Sequence, residues 1–361
     1  MGVLRCLLAL SVLLVHDVDG WFKLIDGAAA VQCFFLISGF YMALVLNEGY
    51  AEVGSFYFNR ALRLLPTYWA VLLLTLVAAM LAGRPTFIDT VLQGDLTWDA
   101  RALVLVSSVF LVGSDLMLFV RPTESGLVFT ADFWNEPPFL FPYHPIPPAW
   151  SLPVEMAFYA VAPFLVRSRW RLLAGVLLGL GMRVIVYKAY GSHDPWRYRF
   201  FPAELGVFCA GGLAYHFYRA MQANDATRRI GVACLAILIA AMLAHSYLPA
   251  AARYVPITAL MLAALPFVFA LTRENTADRW LGELSYPVYL LHFPVLQYVS
   301  GTLAVVACTL AGAVVVHLAV QVAAERAFRR QPRRIRGWQG ALAGRGGLKP
   351  ASMLRPVRIE P

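Results

Sequence analysis

The stretch at residues 27–46, GAAAVQCFFLISGFYMALVL, runs for 20 residues without a formal charge. A helix of about 20 mostly apolar residues is long enough to cross a lipid bilayer. Nine more stretches have a similar character, at 3–19, 66–83, 152–166, 171–188, 203–219, 230–247, 254–272, 283–299 and 303–324. The sequence therefore predicts an all-α, polytopic transmembrane helix bundle of about ten spans.

The composition of the whole chain points the same way. Of its 361 residues, 60% are hydrophobic and only 14% are charged, whereas soluble domains carry about 25% charged residues. The five cysteines stand singly inside apolar stretches, a pattern that favours neither a zinc site nor a disulfide framework. We expect a membrane domain at 1–325 and a basic, disordered tail at 326–361, with no metal and no tightly bound cofactor.

The basic residues predict the orientation in the membrane. Lysine and arginine are enriched in cytoplasmic loops, and a ten-span arrangement with a cytoplasmic N-terminus puts every basic cluster of this chain, the tail included, on that side. An eleventh apolar stretch, 102–120, would break this rule by crossing. We therefore expect both termini to be cytoplasmic, 102–120 to form a re-entrant or surface helix outside, and the first stretch to be a retained span. The basic tail is then a membrane anchor rather than a nucleic-acid-binding segment.

Two ionisable residues share a face of the first predicted span. An ionisable side chain at mid-membrane costs about 2.5–3.5 kcal/mol on insertion scales, so it is paired or functional by default. Arg5 and His16 are eleven residues apart, close to three helical turns and about 16 Å along the axis. A single histidine on an apolar helix is usually a satisfied core residue, but sharing a face with Arg5 makes His16 a candidate catalytic group.

Glu155 follows the run Trp-Ser-Leu-Pro-Val at the start of another predicted span. A buried carboxylate can hold a histidine in one tautomer, as in catalytic triads. The structural alternative is a pair with an arginine or a tyrosine.

Ser285, Tyr289 and His292 are spaced four and three residues apart, which puts them on one helix face. His292 is either a second catalytic group or, as is more usual, a hydrogen-bonding residue in helix packing. Arg60 and Arg63 lie on adjacent turns at the predicted inner surface. Arginine binds phosphate through two parallel hydrogen bonds, so this pair predicts a site for a phosphorylated donor or, alternatively, an ordinary contact with lipid headgroups.

Prolines and aromatic residues crowd the segment at 121–149, on the predicted outer face. Prolines stiffen a loop by fixing φ, and exposed aromatic rings are suited to stacking on sugar rings. A sugar-binding surface and a rigid cap over the bundle are equally good interpretations.

Five stretches, taken in order, resemble the acyltransferase 3 family, the membrane O-acyltransferases that decorate bacterial surface polysaccharides. They are Leu4-Arg5-Cys6 running to His16, Val31-Gln32-Cys33-Phe34-Phe35-Leu36-Ile37-Ser38-Gly39-Phe40, Arg60-Ala61-Leu62-Arg63 with Pro66, Trp150-Ser151-Leu152 with Glu155 and Tyr159, and Leu281-Gly282 through Ser285, Tyr289 and His292. Two positions depart from the family pattern: Cys6 stands where glycine is usual, and Gln32 where an acidic residue is common.

The resemblance implies a function and a set of roles. Acyl-CoA would be a cytoplasmic co-substrate, its phosphates held by Arg60 and Arg63 and oriented by Arg5. His16 would act as general base or acyl relay, with Glu155 orienting it. Residues with possible supporting roles are Ser38, Ser151, Tyr289 and His292. The acyl group, acetyl in the first place, would pass to a hydroxyl of a glycan or lipid-linked sugar at the bacterial cytoplasmic (inner) membrane.

A transporter or flippase of a lipid-linked sugar is the alternative function. It would also carry intramembrane charges and an aromatic outer loop, although many transporters contain internal repeats, which we do not see in this sequence. A non-catalytic receptor would have no need of the arginine pair.

Overall fold

The computed structural model describes residues 1–18, 20, 22–49, 52–191, 193–221, 224–249 and 253–329. The described part of the chain is 77% helical. The helices of the described part are α1 (Gly2–His16), α2 (Gly27–Glu48), α3 (Val53–Leu81), α4 (Phe87–Gln93), α5 (Trp98–Phe110), α6 (Ser151–Leu165), α7 (Arg169–Tyr190), α8 (Phe201–Ala220), α9 (Asp225–Ala244), α10 (Tyr254–Thr272), α11 (Thr276–Leu296) and α12 (Thr302–Arg329).

Each of the ten predicted spans coincides with one of these helices, and α4 is additional. Helix α5 covers only the first part of the stretch at 102–120 that was expected to form a re-entrant or surface helix, and a 3-10 turn at Leu116–Leu118 follows it. Within the described ranges, six helices are long and apolar enough to cross a membrane by length and composition alone: α2, α3, α7, α9 with the turn after it, α10 and most of α12. Helices α1 and α6 have only 15 residues each, and α11 carries charged residues in its first turns. The all-helical, multi-span class is therefore confirmed.

Helix α3 differs from the predicted span at 66–83 because it begins much earlier, at Val53. Proline lacks the N–H that an interior helical position uses, so it is found more often at a helix start than inside a helix. Instead Pro66 lies inside a continuous 29-residue helix. Arg60 and Arg63 are consequently helical and lie on one face of α3, three residues apart.

Helices α2 and α8 pack with their backbones in direct contact. A Cβ atom added at Gly39 would lie 1.9 Å from the carbonyl oxygen of Phe208, and one added at Gly211 would lie 1.9 Å from that of Leu36. Small residues permit this kind of close approach between membrane helices. The crossing fixes the position of α2, which carries Ser38.

Helices α1 and α11 lie side by side and run in the same direction. At one end, the Asp278 carboxylate of α11 accepts backbone N–H bonds from Gly2 at 2.7 Å and Val3 at 2.9 Å, at the start of α1. At the other end, His16, the last residue of α1, lies against His292, near the end of α11. The two helices thus hold both histidines at the same level of the bundle.

The connection between α5 and α6 contains a short antiparallel hairpin, β1 (Val120–Thr123) with β2 (Gly126–Phe129). The hairpin is tied to α5, since the Leu127 N–H donates to the Asp99 carboxylate at 2.8 Å. Short 3-10 turns follow, the last of them Pro147–Trp150, which leads directly into α6. The proline-rich segment is therefore folded onto α5.

The chain forms two compact units, Met1–His317 and Leu318–Pro361. Within the second unit the structure describes the end of α12. Most of the tail predicted at 326–361, namely 330–361, lies outside the described residues.

Candidate active site

A cavity of about 810 Å³, its open mouth included, lies among α1, α2, α3, α6 and α11. The charged residues in its wall are Arg5, Arg60, Arg63 and Glu155. Three guanidinium groups against one carboxylate make the cavity electropositive, so we call it the basic cavity. Such a cavity attracts and holds an anion.

Arg60 is the most enclosed of the three arginines, with 9% of its surface exposed. Its guanidinium lies 5.8 Å from the ring centre of Phe56 and 6.0 Å from that of Tyr159. Its Nε has no hydrogen-bond partner among the described residues. A buried guanidinium donor in this state is suited to a charge-assisted bond with a phosphate oxygen.

Glu155 projects from α6 and accepts two short hydrogen bonds at the same oxygen. The Ser38 hydroxyl donates to Oε1 at 2.5 Å, and the Tyr159 hydroxyl donates to it at 2.6 Å. Ser38 is thereby placed next to a carboxylate, as a hydroxyl that is to be deprotonated would need to be.

His16 and His292 form a pair. His292 Nε2 lies 3.3 Å from His16 Nδ1, and the ring centres are 5.1 Å apart. His16 Nδ1 also lies 2.9 Å from the Val12 carbonyl, and His292 Nδ1 lies 2.6 Å from the Tyr289 carbonyl. A carbonyl only accepts, so in both neutral rings the proton sits on Nδ1. The geometry leaves His16 Nε2 as an unprotonated base.

Tyr289 and Ser151 lie between the basic cavity and the histidine pair. Their hydroxyls are 2.8 Å apart, and the Tyr289 hydroxyl donates to the Pro148 carbonyl at 2.6 Å. Since the bond to Pro148 uses the proton of the Tyr289 hydroxyl, Ser151 is the donor in the bond between Ser151 and Tyr289. Both residues line the basic cavity, and the rings of Tyr289 and His292 are 5.9 Å apart.

A second cavity, of about 860 Å³ with its mouth included, lies beyond the histidines. We call it the aromatic cavity. Residues that define it are Arg84, Phe141, Tyr143, Phe293, Gln297 and Tyr298.

One helix, α11, contributes to both cavities. Ser285 and Tyr289 line the basic cavity, whereas Phe293 and Gln297 line the aromatic cavity. Tyr289 and Phe293 are separated by about 6 Å along the helix axis, and His292 lies between them in sequence. The histidine pair therefore lies between the basic cavity and the aromatic cavity.

The structure brings all nine predicted site residues into two adjacent groups. Seven of them line the basic cavity: Arg5, Ser38, Arg60, Arg63, Ser151, Glu155 and Tyr289. The other two, His16 and His292, form the pair. The hydrogen bonds of Glu155 go to Ser38 and Tyr159, so the orientation of His16 by Glu155 stays a prediction. The ring of His16 contacts those of His292 and Phe293.

Arg199 is a site residue that the sequence did not reveal. It lies just before α8, with its guanidinium 4.2 Å from the ring centre of Trp150 and its Nε 2.6 Å from an Asp194 oxygen. Its charge reaches both His16 and Tyr289. No local motif marks it, because its place depends on how the loop before α8 folds over α6. Tyr159, by contrast, lies one turn after Glu155 and was already part of the fourth resembling stretch.

Comparison with known proteins adds a family match. The family profile described as an acyltransferase domain matches residues 1–323. A protein of Bacillus subtilis (strain 168) named "Putative peptidoglycan O-acetyltransferase YrhL" is 25% identical over 329 residues, which cover 81% of this chain and 48% of that protein. A protein of Staphylococcus aureus (strain COL) named "Putative O-acetyltransferase SACOL0978" is 24% identical over 207 residues, 53% of this chain and 30% of that protein.

A third relative, from Komagataeibacter xylinus, is named "Putative membrane-bound transacylase BcsY". It is 28% identical over 308 residues, 81% of this chain and 71% of that protein. The chain spans about half or less of the length of the first two relatives. No solved structure matches the chain.

Proposed function

The chain belongs to the acyltransferase domain family, and on that premise we propose that it is a membrane O-acyltransferase. It would move an acyl group, in the first place acetyl, from acyl-CoA to a hydroxyl of an exported or cell-surface glycan. The relatives named as O-acetyltransferases, one of them for peptidoglycan, support this acceptor class.

The observation that carries the proposal is the position of the histidine pair between two chemically different cavities. Arg5 lies toward the start of α1 and His16 at its end, about 16 Å further along the axis. An anionic donor can enter at the arginines while its reactive end lies near His16. An uncharged acceptor can approach from the other side, through the aromatic cavity.

The donor is acyl-CoA, bound from the cytoplasm. Arg60 and Arg63 bind its phosphates, and Arg5 orients it. The pantetheine arm then extends past Glu155 toward Tyr289 and Ser151. The thioester lies beside the histidine pair in this arrangement.

The transfer step uses His16 as the base. His16 Nε2 takes the proton of the acceptor hydroxyl while the hydroxyl oxygen attacks the thioester carbonyl. The carbon–sulfur bond breaks when the tetrahedral intermediate collapses, and the CoA thiolate leaves with the proton from His16. The Val12 carbonyl and His292 Nε2 both accept the His16 Nδ1–H and so fix the reactive tautomer. An acyl relay through His16 or Ser38 is a variant of the same transfer.

The parallel arrangement of α1 and α11 supports the ten-span topology. Two parallel spans need an odd number of crossings between them. Seven helices (α2, α3 and α6–α10) lie between α1 and α11 if α5 does not cross. The proposed topology keeps α5 at the outer surface and both termini in the cytoplasm, with the chain in the bacterial inner membrane.

The test follows radiolabelled acetyl-CoA in detergent-solubilised protein with peptidoglycan fragments as acceptor. We expect label on the glycan and release of CoA, both lost in His16→Ala. His193→Ala, with an exposed histidine outside both cavities, is the matched control and should retain full transfer. Transfer that survives His16→Ala would remove His16 from the mechanism.

The transporter of a lipid-linked sugar is the competing function. It predicts folded protein that moves lipid-linked sugar in vesicles and turns over no CoA with any acceptor. That combination of results would replace the acyltransferase proposal.

A further inference from the structure

The aromatic cavity is built differently from the basic one. Phe141, Tyr143, Phe293 and Tyr298 supply aromatic rings to its wall, and Arg84 is its arginine. A phosphorylated donor has no arginine cluster to bind there. The cavity has a mostly apolar lining and a few polar groups, as small-molecule sites do.

Arg84 holds two other residues of the aromatic cavity, Tyr298 and Gln297, in place. The guanidinium of Arg84 lies 4.9 Å from the ring centre of Tyr298 and donates a hydrogen bond at 3.0 Å to the backbone carbonyl of Gln297. The cation fixes one face of the Tyr298 ring and the position of the chain just after α11. An ordered ring beside hydrogen-bonding groups is a rigid binding surface rather than an adaptable one.

These groups match the chemistry of a sugar ring. A pyranose has an apolar face of C–H groups, which packs on an aromatic ring, and a rim of hydroxyls, which bond amides, hydroxyls and guanidinium groups. The aromatic cavity offers Tyr298 and Tyr143 for the face, and Gln297, Thr90 and Arg84 for the rim.

The cavity also reaches the histidine pair. Phe293 lines it, and the Phe293 ring packs edge-on against His16 with the ring centres 6.1 Å apart. A ligand in contact with Phe293 is therefore only one side chain away from His16.

We propose that the aromatic cavity is the acceptor subsite, which binds one sugar unit of the glycan against Tyr298 and turns a hydroxyl toward His16. This inference rests on the proposed function and names the residues that select its acceptor. Tyr298 and Gln297 act on acceptor binding and leave the donor side unchanged.

The first test compares Tyr298→Ala with Tyr247→Ala, whose side chain is 89% exposed and lies outside the cavity. The acceptor is a muramyl disaccharide prepared from peptidoglycan. Loss of an aromatic platform should raise the acceptor KM about tenfold in Tyr298→Ala, with the KM for acetyl-CoA unchanged. Tyr247→Ala should match the wild type. An unchanged acceptor KM in Tyr298→Ala would overturn the proposal.

The second test measures binding without turnover. Gln297→Cys is labelled with a water-soluble maleimide, and the same disaccharide should slow the labelling, while labelling of Ser125→Cys in the hairpin turn should not change. Protection without any acyl transfer would keep the sugar site and remove the acyltransferase function. Acyl transfer without protection, together with a wild-type acceptor KM in Tyr298→Ala, would keep the function and remove the site.

Discussion

At the scale of single residues, Arg60 has the most unusual surroundings in the basic cavity. Its guanidinium is enclosed by Phe56 and Tyr159, and its Nε has no partner among the described residues. A buried donor without an acceptor costs about 1–3 kcal/mol, and more when it is charged. An anion that entered the cavity would recover this free energy on binding, and this supports the proposal that Arg60 binds the donor.

Replacing Arg60 by glutamine should therefore weaken donor binding. We expect the KM for acyl-CoA to rise about 10–100-fold, because a hydrogen bond to a charged group contributes about 1.5–3 kcal/mol. The acceptor KM should stay within about twofold of the wild-type value. That change is smaller than the one expected from the loss of a hydrogen bond to a charged group. Arg169→Gln, at the exposed start of α7, is the control. Equal effects of the two substitutions on the acyl-CoA KM would argue against a donor site at Arg60.

His144, in the connection before α6, gives a prediction on pH. Burial lowers the pKa of His144 from 6.5 to about 4, so the folded chain keeps the ring neutral where the unfolded chain binds a proton. The unfolded state is then favoured as the pH falls from about 6.5 toward 4, at a final cost of about 3 kcal/mol. The stability that depends on a neutral His144 ring is therefore fully present above pH 6.5.

The measurement is the melting temperature of solubilised protein between pH 4 and 7. His144→Asn keeps an acceptor for the Ile146 N–H, which bonds His144 Nδ1 at 3.1 Å, but it cannot titrate. The variant should lose less stability than the wild type on acidification. Parallel curves for the two proteins would show that His144 is free to protonate in the folded state.

At the scale of helices, the crossing of α2 and α8 depends on two glycines, Gly39 and Gly211. Each faces a backbone carbonyl of the other helix so closely that no methyl group fits. Ser38 precedes Gly39 and donates to Glu155, so any separation of the two helices also changes the basic cavity.

Gly39→Ala should force α2 and α8 apart. Overpacking of this kind costs about 1–3 kcal/mol, and the Ser38–Glu155 bond should lengthen. Gly54→Ala is the matched control, since a Cβ added there in α3 meets nothing within 4 Å. Alanine is the better helix former, so the control should be as stable as the wild type or slightly more stable. Melting temperatures of both variants test this, and a stable Gly39→Ala protein would contradict the packing.

At the scale of the whole molecule, the ten-span count stays a prediction, since six helices of the described residues are long and apolar enough to cross a membrane. Hydropathy did locate a helix at each of the ten predicted spans, because a helix in lipid must be apolar along most of its length. It missed the early start of α3 at Val53, since the turns before Pro66 are polar and a proline usually ends a helix rather than lying inside one. Helix spacing predicted the shared faces of Arg60 with Arg63 and of Tyr289 with His292.

The contacts between residues of different helices were harder to predict from the sequence. Glu155 was expected near His16, but its two hydrogen bonds go to Ser38 and Tyr159, because only the packing of α6 on α2 decides which residues meet. Arg199 contacts Trp150 from the loop before α8, and loops follow no periodic pattern. The sequence therefore predicted residues that the structure brings together at the basic cavity and the histidine pair, but not which of them are paired, and their roles stay predictions.

The ten-span topology is a prediction at this scale. It places the hairpin turn at Ser125 outside and the loop at Glu274 in the cytoplasm. In intact spheroplasts, a membrane-impermeant maleimide should label Ser125→Cys at once and Glu274→Cys only after permeabilisation, with the unsubstituted chain as background. The opposite pattern at either position would mean that the span count between them is wrong.

Helix α11 forms part of the wall of both cavities, and this has a thermodynamic consequence. If a ligand in the basic cavity shifts the chain between Ser285 and Gln297, that ligand changes the affinity of the aromatic cavity for its own ligand by some factor. Linkage requires that filling the aromatic cavity then alter the affinity of the basic cavity by the same factor. Ligand binding to the basic cavity and ligand binding to the aromatic cavity are in that case coupled equilibria. A substitution on the face of α11 that lines both cavities then changes the coupling between them as well as the individual dissociation constants.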